Sequence, residues 1–162
     1  MRSSPQQRAA LFAAVVSGLA LAVALSSETW AGLVPCALCL LERWPYRVML
    51  GLGAVAWLWP RAGTALAGLG VLTMLAGVAL GATHVGVEEG AWPSPLPECA
   101  APQLGQGTMA GRLARMPARP AKPCDEPAYL VPNVPVSMAE MNLGLSALLG
   151  AGLVYSIRRR TP

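Results

Sequence analysis

AGTALAGLGVLTMLAGVALGATHVGV, from Ala62 to Val87, runs 26 residues without an Asp, Glu, Lys or Arg. A helix needs about 20 mostly apolar residues to cross the hydrocarbon of a bilayer, so this stretch by itself predicts a membrane protein. Working outward, Ala9 to Ser27 holds 19 uncharged residues between Arg8 and Glu28, and Met141 to Ile157 holds 17 before Arg158, Arg159 and Arg160. Both read as further spans. Val48 to Pro60 holds only 13, so a helix ending near Trp59 must run back through Arg47, Arg43 and Glu42 to about Cys39 to reach the far surface. The first stretch exceeds the ~7–15 apolar residues of a signal-peptide core, and no small-x-small cleavage site follows it closely, so a retained span is expected.

Composition agrees. The 162 residues are 54% hydrophobic and 12% charged, with a mean hydropathy of +0.49. Soluble domains carry roughly a quarter charged residues, which excludes a soluble enzyme. The net charge is +4, but the basic residues are scattered among apolar runs and form no stripe, so no nucleic-acid partner is expected. The expected architecture is an all-α membrane protein: one integral-membrane domain built as a four-transmembrane-helix bundle. Its spans fall at about 9–27, 37–59, 63–85 and 138–157, with a long periplasmic loop at about 86–137 between the third and fourth.

Charge sets the orientation. With four alternating spans, the N-terminus, the turn at Arg61 and the C-terminus share one side, which carries Arg2, Arg8, Arg61 and Arg158 to Arg160 and no acid. That side is expected to be cytoplasmic. All eight acids lie on or near the other side, and so does a segment of different composition, Glu88 to about Ser137, which holds ten of the fifteen prolines. Proline lacks an N–H and restricts its predecessor, so long helices and sheet are excluded there. One short amphipathic helix is expected, with Met109, Leu113 and Met116 on its apolar face and Arg112, Arg115 and Arg119 off it, suited to lying on a membrane surface.

The four cysteines all fall on that outer side. Cys36 and Cys39 form a C-x-x-C where the second span opens, and Cys99 and Cys124 bracket 24 residues of the loop. Three chemistries compete: structural disulfides in an oxidising compartment, a four-cysteine zinc site, weakened by the wide second pair, and redox exchange. Only the last explains a C-x-x-C beside charge inside a span. On a helix, Cys36, Cys39, Arg43 and Arg47 share a face, and an intramembrane Arg is functional by default because it costs a few kcal/mol on the mildest scale. A guanidinium about 6 Å from Cys39 favours its thiolate by roughly 3 kcal/mol at an effective dielectric near 20, before desolvation. At the bilayer edge a lipid-soluble oxidant is the natural acceptor. Glu42 is expected to pair locally with Arg43 or Arg47. Trp44, Tyr46 and Trp92 suit either a pocket wall or an interfacial aromatic belt.

The segment PCALCLLERWPY, Pro35 to Tyr46, closely resembles the signature of the bacterial disulfide-bond-formation protein B (DsbB) family, in which C-x-L-C is followed after two residues by Glu or Gln and then Arg. Thr83-His84, Trp92-Pro93-Ser94-Pro95 leading to Cys99, Cys124-Asp125-Glu126-Pro127 and Ser137-Met138-Ala139 resemble further landmarks in the same order. Only the interior between Cys99 and Cys124 departs, lacking a segment rich in Trp and Phe.

The resemblance implies a protein-disulfide oxidoreductase of the bacterial inner membrane. It would keep a periplasmic thioredoxin-fold partner, DsbA-like, oxidised and pass the electrons to ubiquinone or menaquinone. Carried over by residue, Cys99 is the sulfur attacked by the partner, Cys124 its loop mate that exchanges with Cys36, and Cys39 the sulfur facing the quinone. Arg43 is the cation beside thiolate and quinone, His84 resembles a histidine near the quinone, and no metal ligand is implied. Two alternatives remain at this point: a thiol–quinone oxidoreductase of the vitamin K epoxide reductase type, and a non-catalytic membrane protein stapled by structural disulfides.

Overall fold

The computed structural model describes residues 4–99, 108–109, 122–131 and 133–159. The amphipathic helix expected at 109–119 lies outside the described residues except for Met109, as do Arg2 and Arg160.

Among the described residues four long helices form, each with a local cause. In α1 (Pro5–Trp30), Ser4 caps the start by accepting the Gln7 N–H at 3.1 Å, and Pro5 occupies the first turn, where its missing N–H costs nothing. This cap extends the helix four residues ahead of the expected span, and the far end runs past Ser27 to take in Glu28. In α2 (Ala37–Leu58), Cys36 is the N-cap and Pro45 lies inside the helix. A short 3-10 turn, Pro60–Ala62, leads into α3 (Gly63–Glu88), which closes on Gly90 at φ +70, a conformation that glycine adopts freely. In α4 (Met138–Arg158), Ser137 and Glu140 form a reciprocal capping box, with bonds of 3.2 and 2.7 Å, which satisfies two otherwise orphaned N–H groups.

Among the described residues, three helices are long and apolar enough to cross a membrane: α1, α3 with its lead-in turn, and α4. The charges Glu42, Arg43 and Arg47 set α2 apart. Among the described residues there is no strand, only a single antiparallel bridge between Tyr129 and Ser137.

Helix α3 packs most extensively on α4, and α1 on α2. Large apolar side chains face outward, among them Phe12, Leu19, Leu72 and Leu148, while the core is built from Ala10, Ala13, Met49, Ala67, Met74 and Leu153. Such packing relies on small residues that let backbones approach. A Cβ on Gly53 would sit 2.2 Å from the Ala14 Cβ, and one on Gly77 would sit 2.7 Å from the Ser146 Oγ. Polar groups inside the bundle cross-link helices. Tyr46 Oη donates to Asn142 Oδ1 at 2.6 Å and lies 3.0 Å from Ser146 Oγ, joining α2 to α4. At the opposite end Gln6 and Gln7 donate to the carbonyls of Ser156 and Ala56, occupying acceptors that helix ends leave free.

Candidate active site

The N-terminus of α2 places the C-x-x-C. Extended backbone at Cys36 turns its sulfur back over the first turn, where Sγ accepts the Cys39 N–H at 3.1 Å. Helix N-termini favour thiolate through their free N–H groups and dipole. Cys36 lies just ahead of the helix, and the Cys39 side-chain hydrogen bond holds it below the ordinary thiol value against the opposing effect of burial. Both cysteines are free thiols, Cys36 buried and Cys39 half-buried, whereas Cys99 and Cys124 are joined as a disulfide. That disulfide packs directly on the C-x-x-C: Cys36, Leu38, Val87, Cys99 and Cys124 form one buried cluster, with Cys39 at its margin. All four expected cysteines therefore meet.

Behind Cys36 stands His84, 2% exposed, on the last turns of α3. Its Nε2 lies 3.5 Å from Cys36 Sγ, and its Nδ1 lies 2.9 Å from Glu42 Oε1. The order is carboxylate, imidazole, sulfur. Glu42 thus pairs across to α3, which corrects the expectation that it pairs with Arg43 or Arg47. Adjacent helical residues diverge by about 100° around the axis, so Glu42 and Arg43 serve opposite neighbours. Arg43, 8% exposed, turns to α1 and forms an ion pair with Glu28. Arg47 lies on the exposed side with its guanidinium 5.4 Å from the Trp44 ring centroid, within cation–π range.

On the other side of Cys39 lies a pocket of about 280 Å³ between α1, α2 and α4. Leu21, Val34, Pro35 and Leu145 supply apolar wall, and Ser27, Glu28, Cys39, Glu42, Arg43, Tyr46 and Asn142 supply its polar groups. Ala128 and Leu130 close it from the loop. They are held there by the Met138 N–H bond to Ala128 O, 2.8 Å, and by the Tyr129–Ser137 bridge. Asn142 Nδ2 is buried without a hydrogen-bond partner among the described residues; its electrostatic neighbour is Glu42. Concave, mostly apolar sites with a few convergent polar groups are where small molecules bind. Arg43 lines this pocket, its charge shared with Glu28. His84 is not part of the wall; it faces Cys36. Trp92 is seated over Gly86, its Nε1 donating to Thr83 O at 3.1 Å.

Sequence reasoning missed two of these residues. Glu28 carried a signal, being the acid that ends the first uncharged run. Asn142 carried none.

No curated protein and no solved structure matches the chain. The family model described as disulfide bond formation protein DsbB matches residues 6–156 of the 162. With that match over nearly the whole length, and with apolar helices carrying a C-x-x-C against a second cysteine pair, the chain belongs to the DsbB family, whose business is disulfide-bond formation at a membrane.

Proposed function

We propose that this protein is a quinone-dependent thiol oxidase that reoxidises a DsbA-like periplasmic thioredoxin-fold partner. It acts as a single four-span domain in a bacterial inner membrane, with both termini cytoplasmic. The observation that carries the reading is the arrangement around the C-x-x-C: the loop disulfide is on one side and an apolar pocket on the other. At 1.5 Å per residue, the 22 residues of α2 reach about 33 Å, enough to cross. Its buried charges are met within the bundle, Arg43 by Glu28 and Glu42 by His84.

The pocket fits a quinone head. It is about 280 Å³, walled largely by aliphatic side chains, and offers the Arg43 guanidinium and the Asn142 amide N–H as donors to carbonyl oxygen. When bound, a quinone supplies a two-electron, two-proton acceptor.

The chain's own residues then have distinct tasks. A partner thiolate attacks Cys99 Sγ; the Cys99–Cys124 bond breaks and Cys124 leaves as thiolate. Cys124 attacks Cys36 of an oxidised Cys36–Cys39 pair, so that Cys39 leaves with the electron pair. The partner's second thiol resolves the mixed disulfide at Cys99, and Cys99 closes again on Cys124, freeing Cys36. Each exchange conserves one disulfide and moves two electrons inward, leaving the loop bonded and the C-x-x-C reduced, which is the bonding pattern of this structure. His84 takes the Cys36 proton at Nε2 while Glu42 fixes the ring through Nδ1, the relation that general-base catalysis requires. Cys39, lining the pocket, is the sulfur from which electrons depart, and Arg43 with Asn142 orients the acceptor. The stapling alternative gives no use to a free thiol pair with its own histidine and pocket.

Stopped-flow mixing of the purified protein with reduced partner and quinone tests this. Quinone absorbance is expected to fall in step with partner oxidation, and a Cys124→Ser variant, whose Cys99 is left as a free thiol, is expected to form a mixed disulfide through Cys99 when mixed with the oxidised partner. Partner oxidation with unchanged quinone absorbance would overturn the acceptor.

A further inference from the structure

Cys36 Sγ, Cys39 Sγ and a ring nitrogen of His84 lie within 4.8 Å of one another, and none of the three is exposed. They differ from the four-cysteine zinc site weighed on the sequence, since Cys99 and Cys124 are bonded to each other and offer no thiolate.

The sulfur-to-imidazole spacing at Cys36 and His84 is the one a metal would impose. A tetrahedral ion with bonds of about 2.3 Å to sulfur and about 2.0 Å to nitrogen holds those ligand atoms roughly 3.6 Å apart. Cys36 Sγ and His84 Nε2 are already 3.5 Å apart. The outer contacts fit too. His84 Nδ1 is held by Glu42 Oε1 at 2.9 Å, the carboxylate–histidine relation that fixes the ring tautomer and leaves Nε2 with its lone pair free for a cation. Glu88 Oε1, 3.9 Å from Nε2, is the nearest further carboxylate oxygen, while its Oε2 accepts from Ser137 at 2.5 Å. A water or Glu88 can complete four-coordination. Two thiolates and a divalent ion sum to zero charge, which suits a buried site far better than two bare thiolates do.

We propose that the reduced Cys36–Cys39 pair, together with His84, is a binding site for a divalent thiophilic cation of the zinc group, and that occupancy blocks the pair from being oxidised. On binding, the two thiol protons leave to solvent, three lone pairs are donated to the ion, and no electrons move. The block rests on the proposed redox cycling of this pair; the binding does not.

The test uses full-length protein in detergent with Cys99→Ser and Cys124→Ser, reduced by a phosphine and desalted, and Cd2+ alone as probe. The reduced form is expected to bind one Cd2+ per chain with a sulfur-to-cadmium charge-transfer band, and the Cys36–Cys39 disulfide form to bind none. His84→Gln and Glu42→Gln are each expected to weaken binding by about tenfold or more. In the parent chain, which needs no substitution to fold, Cd2+ is expected to protect Cys36 and Cys39 from alkylation. Absence of the band, or affinity unchanged by His84→Gln, overturns the site even where metal-free oxidase activity is intact. Binding that survives in a protein without oxidase activity supports the site and removes only the function above.

Discussion

Arg43→Ala separates a structural arginine from one that serves the acceptor. The Arg43 side chain is 9% exposed and its partner Glu28 is 30% exposed. Removing the guanidinium leaves a carboxylate with nearly a third of its surface open to solvent, which rehydrates. The stability cost therefore falls to about 1 kcal/mol, well under the ~3–5 kcal/mol of a stranded buried charge. For a chain of this length that lowers Tm by roughly 2–4 °C. The acceptor loses a charge-assisted hydrogen bond of roughly 1.5–3 kcal/mol, a tenfold to hundredfold drop in kcat/KM for quinone at about 1.4 kcal/mol per decade. Glu28→Gln does the reverse: it strands the more buried partner, so it costs more stability, and pairing it with Arg43→Met restores Tm without restoring quinone use. Steady-state kinetics at varied quinone, beside thermal unfolding in the same detergent, reads both quantities. An Arg43→Ala protein whose Tm collapses while kcat/KM for quinone holds would refute the reasoning.

Gly53→Ala drives a methyl to within 2.2 Å of the Ala14 Cβ, whereas Gly51→Ala meets nothing within 4 Å. Overpacking costs about 1–3 kcal/mol, so the first is expected to lower Tm by several degrees and the second to leave it unchanged, as differential scanning would show. Cys36 is held below the ordinary thiol value, first by the Cys39 side-chain hydrogen bond, so its thiolate persists as pH falls through the range where a free thiol protonates. Its alkylation-rate profile is expected to have a midpoint below that of a free thiol, and Cys39→Ala to move that midpoint upward; a profile unaffected by Cys39→Ala would remove the cause assigned here.

Much of this fold was legible because lipid imposes a simple code: α1, α3 and α4 announce themselves as runs without charge, and α2 through the motif that opens it. Helix ends were less legible, since Ser4, Pro5 and the glycine closing α3 extend the helices beyond the uncharged runs. The cysteine cluster followed from placing four sulfurs on one side. The partners of the charges did not follow, because they depend on which helices neighbour α2. Counting along one helix puts Glu42 beside Arg43, while packing sends one to α3 and the other to α1. Asn142 was illegible for the same reason; only its seat opposite Tyr46 gives it a place in the wall.

The loop segment that carries Cys124 also supplies Ala128 and Leu130 to the pocket, and Ala128 is pinned to Met138. Four residues of fully stretched chain span at most about 14 Å. Cys124 is accordingly on a short leash: it can step to the neighbouring Cys36 and back without slack, but travelling farther requires that the Ala128 anchor let go, which would lift the roof from over the pocket beneath.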